Sequence, residues 1–119
     1  MIDTWRDDVP IYRQIKDRVI ASILDGSLKE GEPLPSVRTV AVETRVNPLT
    51  VSKAYQELQL AGIAESRRGL GLFVIEGAKS RLATDERDQF LTQEWPDIAA
   101  RIKRLGLKPA ELLAKINED

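Results

Sequence analysis

The chain has 119 residues, of which 42% are hydrophobic and 31% charged, with a net charge of −1. That length suits one ordinary domain or a small domain with an appendage, and the composition is that of a folded, soluble protein rather than a disordered chain. Neither cysteine nor histidine is present, which excludes disulfides, thiolate nucleophiles, Ser-His-Asp triads and every metal site built on those two residues.

Residues 1–10 are acidic and polar, without the apolar core of a secretory signal. No later run approaches the roughly 20 apolar residues needed to span a bilayer, so a cytoplasmic protein without membrane contact is expected. Pro10 is placed as an early helical residue, where its missing N–H has no partner to lose. Ile11, Ile15, Val19, Ile20, Ile23 and Leu24 then recur at helical spacing until Gly26, predicting an amphipathic helix over residues 10–25.

Residues 27–35, with Gly31, Pro33 and Pro35, read as a turn. Ser36 is an N-cap for a short helix with Val37, Val40 and Ala41 on its inner face, running to about Thr44. Asn47 and Pro48 supply a cap and a first-turn proline for the next helix, whose stripe is Val51, Ala54, Tyr55, Leu58 and Ala61. Two helices joined through Arg45 to Asn47 make a helix-turn-helix. After Gly62 the period changes, and two short runs around Gly69-Leu70-Gly71 predict a β-hairpin in the position of a wing.

The remainder is helical in character. Leu91, Trp95, Ile98, Ile102 and Leu105 are spaced like a heptad seam. Pro96 lies inside it, so that helix must kink or restart. Gly106 ends it, and Pro109 opens a last helix carrying Leu112, Leu113 and Ile116. The fold class is therefore mostly α with a small β-hairpin. Residues 1–76 form a winged helix-turn-helix domain, and residues 77–119 a helical dimerisation or regulatory tail.

A base-reading helix presents small or polar side chains on its first turn. Here that turn is Asn47-Pro48-Leu49-Thr50, followed by Ser52 and Lys53. Thr50 and Ser52 can donate to phosphates or bases, and Lys53 can neutralise a phosphate; Asn47 could equally be a cap and nothing more. Ser36, Arg38 and Arg45 flank this turn; Ser36 suits a register-fixing phosphate contact, and the arginine fork suits guanine or phosphate. Each could also be an ordinary solvated side chain. Arg67 and Arg68 beside Gly69 suit a wing tip lying along DNA, and a plain polar hairpin is the alternative. Residues 1–75 hold ten basic and ten acidic side chains, and residues 76–119 eight and nine. Any DNA-binding face must therefore arise by local sorting of charge.

The tail exposes a one-sided seam with little of its own chain to cover it. Pairing with a second copy would bury it, with Phe90, Leu91, Trp95, Ile98, Ile102 and Leu105 as the interface.

The stretches PIYRQI, LPSVRTVA, VNPLTVSKAYQEL and RRGLGLFV, in this order over residues 9–75, resemble the DNA-binding domain of the GntR family of bacterial regulators. The short tail with its RLGL turn is similar to the YtrA-type subfamily. The resemblance implies a winged helix on double-stranded operator DNA, dimerisation through the C-terminal helices, and repression. It carries family DNA contacts onto Arg38, Thr50, Ser52 and Gly69. Two positions depart from the pattern: Leu49 stands where many relatives have a polar residue, and Leu72 replaces a wing threonine.

The expectation is a homodimeric repressor on a near-palindromic operator, needing no cofactor and no metal, and not an enzyme. A small-molecule effector, if one acts here, would sit at a dimer or domain interface. The competing class is a winged-helix adaptor that contacts protein instead of DNA, distinguished by whether Arg38, Arg45, Lys53, Arg67 and Arg68 sort onto one face.

Overall fold

The computed structural model describes residues 5–118. The first four residues of the polar leader and Asp119 lie outside the described residues. Two compact units divide between Ala83 and Thr84. Among the described residues no helix is long and apolar enough to cross a membrane.

In the first unit, α1 runs Ile11–Asp25. Pro10 stands just outside it in an extended conformation rather than inside its first turn. Its carbonyl still accepts from Arg13 N and Gln14 N at 3.1 and 3.3 Å, so the ring sets the entry angle without costing a helical bond. Gln14 holds the preceding segment: its Nε2 donates to the carbonyls of Arg6 and Val9, and its Oε1 accepts from Arg6 N. Gly26 ends the helix at φ 88°, a left-handed conformation that a Cβ would strain.

α2 (Val37–Thr44) starts at Ser36, whose Oγ accepts from Thr39 N at 3.0 Å. α3 (Pro48–Leu60) starts at Asn47, whose Oδ1 accepts from Leu49 N at 2.8 Å. Each cap satisfies an N–H that the first helical turn leaves without an acceptor. Between the helices lie only Arg45, Val46 and Asn47, as the sequence predicts. Arg45 is left-handed at φ 57°, the sole described non-glycine residue with positive φ.

β1 (Ala64–Arg67) and β2 (Gly71–Val74) pair antiparallel from Ala64 opposite Val74 to Arg67 opposite Gly71. Residues 31–34, expected as a plain turn, line the other edge of β2. Leu34 N donates to Leu72 O, Gly31 N to Val74 O, and Val74 N to Glu32 O, all within 2.8–3.0 Å. Pro33 tolerates this edge position because no ladder donor is needed from it.

The core joins α1, α2, α3 and the hairpin, with Ile23, Val51, Leu58 and Val74 fully buried. Burying each contributes about 1.5–3 kcal/mol. α4 (Ala78–Gln89) begins in this unit, and Ala78 and Leu82 are buried in the same core. Glu30 caps it: a bond from the Gly77 backbone, and one from Lys79 N to its Oε2 at 3.0 Å, hold its carboxyl below the usual glutamate value.

The second unit contains a π-helical turn at Phe90–Glu94, α5 (Trp95–Leu105) and α6 (Pro109–Ile116). The helix neither stops at Pro96 nor keeps a regular path there. Trp95 N donates to Phe90 O five residues back, and the wider turn accommodates the ring and the missing N–H of Pro96. Gly106 turns the chain at φ 68° into α6. No described side chain from residue 84 onward is buried.

Candidate nucleic-acid interface

The helix-turn-helix is held from behind by polar contacts as well as by its core. Tyr55 of α3, only 6% exposed, donates its hydroxyl to Pro35 O at 2.6 Å, immediately before the Ser36 cap. One side chain thus ties the start of α2 to the middle of α3. Burial pushes the Tyr55 hydroxyl up to about 12. Buried Thr44 donates to Val40 O at 2.6 Å, which satisfies its hydroxyl inside α2. Lys16 of α1 reaches Glu57 of α3 at 3.4 Å.

With this backing fixed, the outward face of α3 follows from its period. Val51, Ala54, Tyr55 and Leu58 point to the core, so Leu49, Lys53 and Gln56 lie on the opposite side, and all three are exposed. Thr50 and Ser52 flank this ridge and are half-exposed. Leu49, in the first turn, is 77% exposed.

The cationic candidates fall into two groups. Arg38 in the first turn of α2, Arg45 in the turn and Arg68 at the hairpin tip are exposed, and none is ion-paired among the described residues. Lys53 and Arg67 are already engaged. Lys53 Nζ lies 4.1 Å over the Tyr12 ring of α1, and the Arg67 guanidinium lies 4.2 Å over Phe73 while meeting Glu65 at 3.5 Å. Arg67 and Arg68 therefore differ, although they are adjacent in sequence: one belongs to β1 and the other to the tip. Ser36 is engaged too, its hydroxyl donating to Thr39 Oγ1 while it caps α2. At the tip, Leu70 N donates to Arg67 O at 2.9 Å. Gly69 is the third residue of that turn, at φ 76°, where glycine is favoured and the space around its Cα is open.

Sequence reasoning missed Tyr12, which aligns the Lys53 ammonium, and the second role of Tyr55. Both aromatics sit within helical patterns, where a ring reads as packing. Gln56 was also missed; the signal was its place seven residues after Leu49, two turns along the same face.

In the tail, Phe90, Leu91, Trp95, Ile98 and Leu105 are exposed and Ile102 is half-buried. Phe90 and Trp95 rings lie 6.4 Å apart. The predicted seam is divided. Trp95, Ile98 and Ile102 face Leu112, Leu113 and Ile116 across an open apolar groove of about 750 Å³, whereas Leu91 and Leu105 do not line it. The groove is larger than expected of a tail this short.

Residues 11–74 match the family described as bacterial regulatory proteins, gntR family. The chain is 34% identical to the uncharacterised HTH-type transcriptional regulator YhcF of Bacillus subtilis, over 98% of this chain and 94% of that protein. It is 47% identical to the HTH-type transcriptional repressor YtrA of the same organism, over 65% of this chain and 59% of that one. A solved GntR family transcriptional regulator from Listeria monocytogenes superposes with a TM-score of 0.78 at 28% identity, covering 97% of this chain and 99% of that one.

Proposed function

The chain belongs to the GntR family of helix-turn-helix transcriptional regulators, and on that premise we propose that it is a cytoplasmic repressor binding a near-palindromic operator as a homodimer. The observation that carries this reading is the pair of capped first turns. Arg38 lies exposed in the first turn of α2, and Leu49 and Thr50 lie in that of α3, with Ser52 and Lys53 following. Caps and the Tyr55 bond hold these turns before DNA arrives, so little ordering cost remains for binding.

In this account α3 enters the major groove. Thr50, Ser52 and Lys53 meet phosphates and base edges, Arg38 reads guanine or grips a phosphate, and Asn47 and Ser36 work mainly as caps. Arg45 and Arg68 neutralise phosphates, and the Gly69 tip brings backbone N–H groups close to the DNA backbone. Phe90, Leu91, Trp95, Ile98, Ile102 and Leu105 would be covered by the partner's tail, because no described residue of the second unit is buried by its own chain. Two subunits then place two α3 helices in successive major grooves about 34 Å apart. Occupied operator excludes polymerase, which gives repression.

The test is fluorescence anisotropy against DNA upstream of the protein's own gene over a salt series, with Arg38→Ala alongside. Lys53, Arg45 and Arg68 on both subunits give about six phosphate contacts and a log–log salt slope of roughly −5. Arg38→Ala is expected to cost on the order of 1–3 kcal/mol and to flatten base preference. Weak binding, equal for scrambled DNA, would favour a protein partner for the winged helix instead.

A further inference from the structure

We propose that Leu49 is a specificity-determining residue that reads the C5-methyl group of a thymine in each operator half-site. The inference rests on the operator-binding reading above and deepens it. A lone exposed leucine is ordinary on a protein surface; what distinguishes Leu49 is its place. It is the second residue of α3, and its own N–H is fastened to the Asn47 cap at 2.8 Å. Its side chain points directly away from the Val51, Ala54, Tyr55 and Leu58 stripe and is 77% exposed. Leu60 is exposed on the same helix but at its far end, beyond the turn that a recognition helix brings to base edges.

An isobutyl group has no hydrogen-bond donor or acceptor. In the major groove it cannot pair with guanine O6 and N7, with the cytosine amino group or with the adenine edge. The one apolar feature offered there is the thymine methyl. Covering that methyl removes apolar surface from water on both partners, and the burial of one methyl-sized group corresponds to about a fourfold change in affinity. Covering a cytosine amino group with the same side chain would leave a donor unsatisfied, so T·A is preferred over C·G at that position. Arg38, Thr50 and Ser52 supply polar readout; Leu49 adds a contact of different chemistry.

The experiment starts from a randomised duplex library with fixed flanks, from which the full chain selects its preferred site. Each thymine of that duplex is then replaced in turn by deoxyuridine, which removes only the methyl. One thymine per half-site should cost the wild-type protein about fourfold in affinity, and about sixteenfold when both half-sites are changed. Leu49→Ala should bind all these duplexes equally, and it should keep the wild-type circular dichroism and melting temperature because the side chain supports nothing in the fold. Cytosine at that position should be rescued by 5-methylcytosine for the wild type alone. If a site is selected but no thymine methyl matters, or methyl loss costs Leu49→Ala as much as wild type, the assignment is overturned while operator binding stands. If the library yields no preferred sequence, operator binding itself fails, and this inference with it.

Discussion

Replacing Tyr55 with phenylalanine isolates the bond that joins the two helices of the helix-turn-helix. The ring is buried in the core of the first unit and stays in place, so no cavity forms. Only the 2.6 Å bond to Pro35 O is lost. Pro35 is itself exposed, so water can reach the freed carbonyl and the full penalty of a buried orphan acceptor does not apply. The cost should therefore be about 1 kcal/mol rather than 3. For a unit of this size that is a fall of roughly 4–8 °C in melting temperature. A second readout comes from pH. The hydroxyl ionises near 10 when unfolded and near 12 when folded, so the unfolded chain loses its proton first. Stability from this group is complete below pH 10 and is lost as pH rises toward 12. Calorimetry and an ultraviolet tyrosinate titration of wild type and Tyr55→Phe check both. An unchanged melting temperature together with an unchanged alkaline limb would refute the assigned role. Because the bond positions the Ser36 cap, operator affinity should fall as well, though less than for Arg38→Ala.

Three further outcomes are expected. Arg45 occupies a left-handed conformation, so Arg45→Gly should keep or raise the urea midpoint, whereas the β-branched Arg45→Val should lose about 1 kcal/mol or more. Gly62 is left-handed at φ 75°, and an added Cβ would meet Arg81 Nη1 at 2.6 Å. The arginine tip can swing aside and the backbone cannot, so Gly62→Ala should cost about 1 kcal/mol and Arg81→Ala in the same chain should not restore it. Glu30 is held below its ordinary value by the backbone bonds at the start of α4. It binds a proton less readily folded than unfolded, so its contribution is present above the unfolded value near 4.5 and fades as pH falls below it. Glu30→Gln should show a shallower acid limb in thermal melts between pH 5 and pH 3.

Helices and caps were legible in the sequence because they are local. Ser36, Asn47-Pro48 and Gly26 mark ends through bonds or torsions that involve residues at most a turn away, and α1 to α3 fall where their stripes place them. The wing also follows from its glycine tip. What escaped were contacts between distant segments. Residues 31–34 join the edge of β2 through backbone groups that carry no sequence signature. Lys53 meets Tyr12, and Tyr55 meets Pro35, across gaps that no periodicity spans. Adjacent Arg67 and Arg68 look equivalent in sequence, yet strand geometry gives the first to Phe73 and Glu65 and leaves the second at the tip. In the tail, Pro96 announces an interruption, but whether a helix kinks, stops or widens depends on which carbonyl takes the displaced bond. Here Phe90 O takes it from Trp95 N, and Leu91 and Leu105 fall away from the groove that Trp95, Ile98 and Ile102 line.

Entry of the first turn of α3 into the major groove of an operator is read out by dimethyl sulfate protection of guanine N7 on the selected duplex. Two clusters of protected major-groove positions are expected, related by two-fold symmetry about one helical turn apart, with more Arg38→Ala protein needed for the same protection. Full occupancy by anisotropy without any N7 protection would contradict it, since binding would then run through the backbone or the minor groove alone.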